Sequence, residues 1–404
     1  EVPRESWDYT ATQPMILADL TLDGTPHKVL MQAPKDGFFY ILDRETGKLL
    51  SANKYVPVNW ASHVDLETGR PAINESLVDY SKGPVFVVPS GMGGHAWNPM
   101  AYDPRTEIVY IPAIEGGAIT YDPTDGHTYR PKQANSGNST LFGDSLLMDP
   151  KRAPAPMRPL LEKIQASGEA KSRAALKAFD PKTGKVLWEQ EGSGWWDRGG
   201  VLATAGDLVF QGTDTGHLRA FDSKTGQLVK DIEVGTSIIA APMTYTVDGV
   251  QYVAVMAAWG GGGWFAPHDT SAVIKYGNEG RILAFKLGGG ETPLPPLVSA
   301  IGPIPKPPAQ TASAETIREG AQLFARNCSL CHANVDYGLT PDLRRMPPEI
   351  HASFKAIVLH GALRPRGMPQ WDDVLNDAQA DAIHAYLIDL AQRAYDAQER
   401  AKGD

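Results

Sequence analysis

A turn unit of the form hydrophobic-Asp-x-x-Thr-Gly, followed by a second hydrophobic run, recurs along this chain and constrains its fold more than any other feature. It reads Leu42-Asp43-Arg44-Glu45-Thr46-Gly47, Phe179-Asp180-Pro181-Lys182-Thr183-Gly184 and Phe221-Asp222-Ser223-Lys224-Thr225-Gly226, with Tyr102-Asp103-Pro104-Arg105-Thr106 as a degenerate copy. In such a unit Asp hydrogen-bonds the turn backbone and Gly takes positive φ, so each copy marks a tight reversal between strands. Asp180 and Asp222 stand 42 residues apart, within the ~40–50 residues of one four-stranded propeller blade. The wider intervals between the other copies leave room for loops. Between Val201 and Val234, short apolar runs alternate with Asp/Gly turns at Asp207, Asp214-Gly216 and Asp222-Gly226, the pattern of a β-meander. Forty glycines and thirty-two prolines suit many short strands joined by tight turns. A two-sheet sandwich with chance turn similarity is the alternative, and repetition of the whole unit argues against it.

The pattern changes after residue 288. Residues 289–313 carry Pro293, Pro295, Pro296, Pro303, Pro305, Pro307 and Pro308, an extended, semi-rigid linker that at ~3.1 Å per residue spans several tens of ångströms. Residues 314–404 turn helical: Ile317, Gly320, Leu323 and Phe324 fall on one face, as do Ile383, Tyr386, Leu387 and Leu390. The expected division is a β-propeller over 1–288, the linker, and an all-α domain over 314–404.

That last domain holds the chain's two cysteines, in Cys328-Ser329-Leu330-Cys331-His332. Cys-x-x-Cys-His is the attachment signature of c-type haem: the thiols add to the vinyl groups and the adjacent His332 supplies an iron ligand. A zinc site would need more ligands at metal spacing, and a redox dithiol would need a βαβ context. The second iron ligand is expected in Arg366-Gly367-Met368-Pro369, where a turn presents the Met368 thioether; Met346, His351 and His360 are rivals. Net charge is −9 without a long basic run, which argues against nucleic acid as a partner. No apolar run approaches the ~20 residues of a membrane-spanning helix.

A propeller joined by a Pro-rich linker to a C-terminal cytochrome c resembles the type II quinohaemoprotein alcohol dehydrogenases. The likeness is carried by Ser6-Trp7-Asp8-Tyr9-Thr10, Ala33-Pro34-Lys35-Asp36-Gly37-Phe38-Phe39, Val56-Pro57-Val58-Asn59-Trp60-Ala61-Ser62, His95-Ala96-Trp97-Asn98-Pro99-Met100 and Gly260-Gly261-Gly262-Gly263-Trp264. The resemblance implies an eight-bladed propeller, pyrroloquinoline quinone (PQQ), calcium and haem c. It implies Asp8 as catalytic base and calcium ligand, Lys35 at the quinone carbonyls, and Trp97, Asn98, Trp196 and Trp264 around the cofactor. Elementary chemistry agrees, because removing hydride from an alcohol carbon requires a positioned base for its hydroxyl proton. A cation beside the quinone oxygen steadies the charge that builds there. The implied activity is periplasmic oxidation of an alcohol to an aldehyde or ketone, with electrons leaving to a soluble cytochrome, a copper protein or a quinone-linked acceptor. A sugar or aldehyde dehydrogenase, or a non-catalytic propeller-cytochrome electron-transfer protein, are the alternatives.

The sequence departs from the family at three places. The vicinal Cys-Cys disulfide is missing, as is the segment bearing the Glu and Asn calcium ligands. Trp195-Trp196-Asp197-Arg198-Gly199-Gly200 differs from the simpler family pattern. Only four to five blades are expected, and no leader peptide is visible. The reading is therefore a C-terminal part of a longer enzyme, its propeller completed by an N-terminal fragment or a second chain.

Overall fold

A computed structural model describes residues 2–122, 128, 129, 131, 135, 138–259, 270–298, 303–332 and 341–401. The first sheet is an antiparallel meander of β1 (Ile16–Leu22), β2 (Thr25–Gln32), β3 (Phe38–Asp43) and β4 (Leu49–Lys54). A short hairpin of β5 (Ala61–Val64) and β6 (Pro71–Ile73) follows. β7 (Val85–Val87) leads into β8 (Ala101–Asp103) and β9 (Ile108–Glu115), then β10 (Ala118–Tyr121), β11 (Ser139–Phe142) and helix α1 (Arg158–Ser167). β12 (Arg173–Asp180) and β13 (Lys185–Glu191) return beside β9, giving the order β13-β12-β9-β8, while β11-β10-β7 make a separate three-stranded sheet. β14 (Val201–Thr204), β15 (Leu208–Gly212), β16 (His217–Asp222) and β17 (Leu228–Glu233) form a second uninterrupted meander. β18 (Met243–Val247), β19 (Val250–Ala257) and β20 (Arg281–Phe285) form the last sheet, with α2 (Ala272–Tyr276) between its second and third strands.

Apolar faces stack these sheets in series. Leu20, Met31 and Phe39 of the first sheet pack on Val109, Ile111 and Phe179. Tyr110, Leu176 and Ala178 pack on Val201, Val209 and Phe221. Leu218 and Phe210 pack on Val253, Val255 and Leu283. Central strands are thus buried on both faces, as β9 and β12 are, whereas the outer strands β13 and β17 are largely exposed. Among the described residues these make four blade-like sheets, one inserted sheet and the β5-β6 hairpin, a mainly β architecture that matches the expected part-propeller.

The turn unit explains the hairpins. Asp43 Oδ1 accepts from Glu45 N (3.0 Å), Thr46 N (2.8 Å) and Thr46 Oγ1 (2.9 Å), and Gly47 takes φ +76°. Asp222 repeats this with Lys224, Thr225 and Gly226. The ladder shifts register just before the turn in the Asp43, Asp180 and Asp222 copies. Asp103 is not an equivalent copy: it closes the hairpin β8-β9, and the other three close the last hairpin of their sheets. The long interval to Asp180 holds the inserted strands and α1. A further copy, Asp65-Leu66-Glu67-Thr68-Gly69, closes β5-β6 with the same Asp–Thr bonds.

The C-terminal part is helical, with α3 (Ala314–Asn327), α4 (Ser329–His332), α5 (Pro348–Ala352), α6 (Phe354–Val358) and α7 (Asp377–Ala401). Ser313 Oγ caps α3 by accepting from Thr316 N at 3.1 Å. α3 lies so close to α7 that a Cβ on Gly320 would collide with Ala382 O. The Pro-rich segment is tied to α7: Ile304 N donates to Gln398 Oε1 (2.6 Å) and Gln310 Nε2 to Ala385 O (2.8 Å). No described helix is long and apolar enough to cross a membrane.

Candidate active site and haem-attachment site

Asp8 adopts φ +70°, a left-handed conformation that Asp tolerates better than most side chains. Its neighbours Trp7 and Tyr9 are buried, with rings 6.0 and 5.9 Å from Trp60. Trp7 Nε1 donates to Leu77 O (3.0 Å) and Tyr9 Oη to Pro89 O (2.6 Å). Two anchored aromatics therefore hold the backbone while the Asp8 side chain, 73% exposed, turns outward. Lys35, only 14% exposed, reaches it from the β2-β3 connection: Nζ donates to Asp8 O (2.9 Å) and Oδ2 (3.1 Å). Thr10 Oγ1 donates to Oδ1 at 2.8 Å.

A run of small residues makes room for this pair. A Cβ on Gly91 would stand 2.5 Å from Trp7 O, and one on Gly93 would collide with Lys35. Gly94 N donates to Lys35 O at 2.8 Å. Between them Met92 packs on a cluster of Trp195, Trp196, Ile239 and Trp259, which ties the Asp8–Lys35 pair to the tryptophans.

Trp196 is 4% exposed, stacks on Trp195 at 4.1 Å, and meets Trp259 edge-on at 5.2 Å. The Arg198 guanidinium lies over its ring at 4.7 Å. Trp196 therefore packs among protein rings, whereas Trp97 is 52% exposed. Asn98 is buried; its Nδ2 donates to Ile239 O (3.2 Å), and its Oδ1 has no partner among the described residues. His95 is fully buried between Ala33 O (2.8 Å) and Asn98 O (2.5 Å), a structural clamp, and burial lowers its pKa. Trp264 lies outside the described residues. Sequence reading passed over Arg198, whose only signal was a cation inside an aromatic-glycine run.

The buried donors Arg198 Nε and Nη1, which have no partner among the described residues, and the Lys35 ammonium fit a planar polyanionic quinone. The unpartnered Asn98 Oδ1 and Gln13 Oε1 only accept and would not bond its anionic oxygens. Calcium fits less well. No group of three or more His, Cys, Asp or Glu side chains able to hold a metal occurs among the described residues. Asp8 offers one carboxylate, already bonded by Lys35 and Thr10.

In the helical part Cys331 N and His332 N both bond back to Cys328 O, at 3.2 and 2.9 Å, so the haem motif occupies one helical turn. Neither cysteine is in a disulfide; Cys331 is exposed and Cys328 half-buried. Burial pushes the Cys328 thiol up to about 12 and lowers the His332 pKa, leaving a neutral imidazole suited to iron. His332 Nδ1 is buried without a described partner. Met346 (8% exposed) and half-buried Met368 pack on the cluster that includes Cys328. His351 Nδ1 lies 2.9 Å from His384 Nε2, and His360 is exposed. The residues present fit a covalent haem.

A blade-built sheet stack ending in a Cys-x-x-Cys-His helical domain defines a quinoprotein-type propeller with an attached cytochrome. Residues 1–71 and 73–253 match the family model of the glucose/ethanol/alcohol dehydrogenase β-propeller domain (PQQ), and residues 315–387 that of cytochrome c oxidase, cbb3-type, subunit III. The chain belongs to the PQQ β-propeller family. It is similar to quinohemoprotein alcohol dehydrogenase ADH IIB of Pseudomonas putida, 39% identical over 99% of this chain and 55% of that protein. The solved quinohemoprotein alcohol dehydrogenase ADHIIG from Pseudomonas putida HK5 superposes with TM-score 0.75 at 36% identity, over 97% of this chain and 55% of that one. The enzyme from Comamonas testosteroni gives 0.70 at 33% identity, over 96% and 54%. The chain thus spans about half the length of the relatives it matches.

Proposed function

We propose that this chain serves the PQQ-dependent oxidation of an alcohol to an aldehyde or ketone, with electrons passing through haem c to an external acceptor. The observation that carries this reading is the Asp8–Lys35 pair, held within the PQQ-family propeller segment of a chain that also bears a haem-attachment motif. PQQ, when bound, supplies the acceptor for hydride. Asp8 takes the alcohol's hydroxyl proton on its outward carboxylate. Lys35, tethered to Asp8 O, orients that carboxylate and presents positive charge to the quinone side. Cys328, Cys331 and His332 would hold the haem, which would supply the one-electron carrier.

Thioether haem attachment and the family likeness support a periplasmic location, with a soluble cytochrome, copper protein or quinone-linked acceptor downstream. Met256 and Ile282, cross-strand partners on the last sheet, are 63% and 79% exposed, and Leu17 on the first is 61% exposed. Such apolar sheet faces suit further blades, from the same polypeptide or a second chain.

The test is the visible spectrum of the native protein before and after a panel of alcohols, aldoses and aldehydes. A reduced-haem α-band appearing with alcohols supports the reading. Reduction by dithionite but by no alcohol overturns it, and reduction by aldoses alone moves the substrate class to sugars.

A further inference from the structure

Two buried cations of the sheet region differ in how they are satisfied. Lys177 is ion-paired with Glu115 and donates to Tyr55 O at 3.2 Å. Arg198, 5% exposed, has no carboxylate partner, and neither Nε nor Nη1 has any hydrogen-bond partner among the described residues. A buried guanidinium with free N–H groups is costly unless an anion completes it. Stacking on Trp196 at 4.7 Å accommodates the delocalised cation but leaves the in-plane N–H groups unused. Burial pushes its pKa down to about 10, so it stays charged at neutral pH. Arg198 also acts electrostatically on His95, which bonds Ala33 O two residues before Lys35. It therefore belongs to the same locality as the Asp8–Lys35 pair.

We propose that Arg198 donates to a carboxylate of PQQ, a planar tricarboxylate, and so anchors the acidic part of the cofactor while Lys35 serves its quinone oxygens. This rests on the PQQ reading above. Guanidinium suits the role because its planar N–H groups match a carboxylate, and a buried charge-assisted bond is among the stronger polar contacts.

The test titrates native protein stripped of cofactor with PQQ, and separately with PQQ trimethyl ester, following quenching of tryptophan fluorescence. Arg198→Gln is expected to weaken PQQ binding by about 10- to 100-fold and to change ester binding little, with Arg198→Lys recovering part of the loss. Folding of each variant is checked by its haem spectrum and far-ultraviolet circular dichroism. Should Arg198→Gln fail to fold, wild-type protein still decides: equal affinity for acid and ester overturns the proposal. Arg198→Gln binding PQQ as tightly as wild type also overturns it and leaves the PQQ reading standing. Wild-type protein that shows no PQQ binding removes that reading, and this inference with it.

Discussion

Lys35 Nζ meets Asp8 twice, at the main-chain oxygen (2.9 Å) and at carboxylate Oδ2 (3.1 Å), across 27 residues of sequence. The double contact fixes the carboxylate's direction while leaving it exposed. Asp8→Asn preserves shape and removes the proton acceptor, so alcohol-driven haem reduction should slow by about 10²–10⁴-fold while dithionite reduction is unchanged. Lys35→Gln should also slow it, through loss of both the tether and the charge. Stopped-flow absorbance of the haem checks both, and an Asp8→Asn protein with wild-type kinetics removes Asp8 as the base.

The propeller was legible because its turns are written in side-chain chemistry that acts within five residues. Asp43 and Asp222 bond their own Thr and Gly neighbours, so the local signal needs no tertiary context. The place of Asp103 within its sheet was not legible, because insertion of β10, β11 and α1 is invisible to turn spacing. The Asp65 copy was overlooked because it closes a two-stranded hairpin outside the blade rhythm. In the site, Asp8 and Lys35 could be named from their motifs, but their mutual contact depends on Gly91 and Gly93 admitting a close approach. Arg198 and the packing of Trp196 were hidden for a related reason: whether an aromatic faces a cofactor or a neighbouring ring is set by the assembled sheets, not by residue type.

The haem site yields a discriminating pair of variants. Met346 is a core residue at 8% exposure, so Met346→Ala should cost about 2–5 kcal/mol of stability while the haem potential stays near wild type. Met368 is half-buried beyond Gly367 in a left-handed turn (φ +93°). Met368→Ala should cost less stability but lower the redox potential, as loss of a thioether ligand does. Redox titration with thermal melts separates the two, and the reverse outcome assigns the iron to Met346. Cys331→Ser should leave haem attached through Cys328 alone, shifting the reduced α-band.

Acid stability follows from the turn carboxylates. Bonds from Thr46 N and Oγ1 lower the Asp43 pKa, Thr68 does the same for Asp65, and Thr225 for Asp222. A folded-state pKa below the unfolded value means the stabilisation is complete above the unfolded value, about 4, and is lost as pH falls through the folded one. Asp222→Asn should therefore be less stable than wild type at neutral pH, with the gap narrowing below pH ~4. Urea unfolding of both proteins across that range measures it, and a gap independent of pH would show that the charge of Asp222 is irrelevant to the turn.

Two glycines of the same turn unit separate backbone strain from packing. Gly47 and Gly226 have nearly the same conformation, φ +76° and +72°. Nothing lies within 4 Å of a Cβ built on Gly47, whereas one on Gly226 would stand 2.7 Å from the Trp188 ring. Trp188 comes from β13 of the preceding sheet, donates its Nε1 to Ser223 O at 2.9 Å and so latches one blade to the turn of the next. Gly47→Ala should cost about 1–2 kcal/mol, the left-handed penalty alone. Gly226→Ala should add about 1–3 kcal/mol of overpacking. If the surplus comes from the indole, it should vanish when both glycine variants are made in a Trp188→Ala background, where only backbone strain remains. Equal costs for the two variants in the wild-type background would mean that the indole swings aside freely, and that the contact between these sheets is held by Tyr110 and Phe221 beneath it instead.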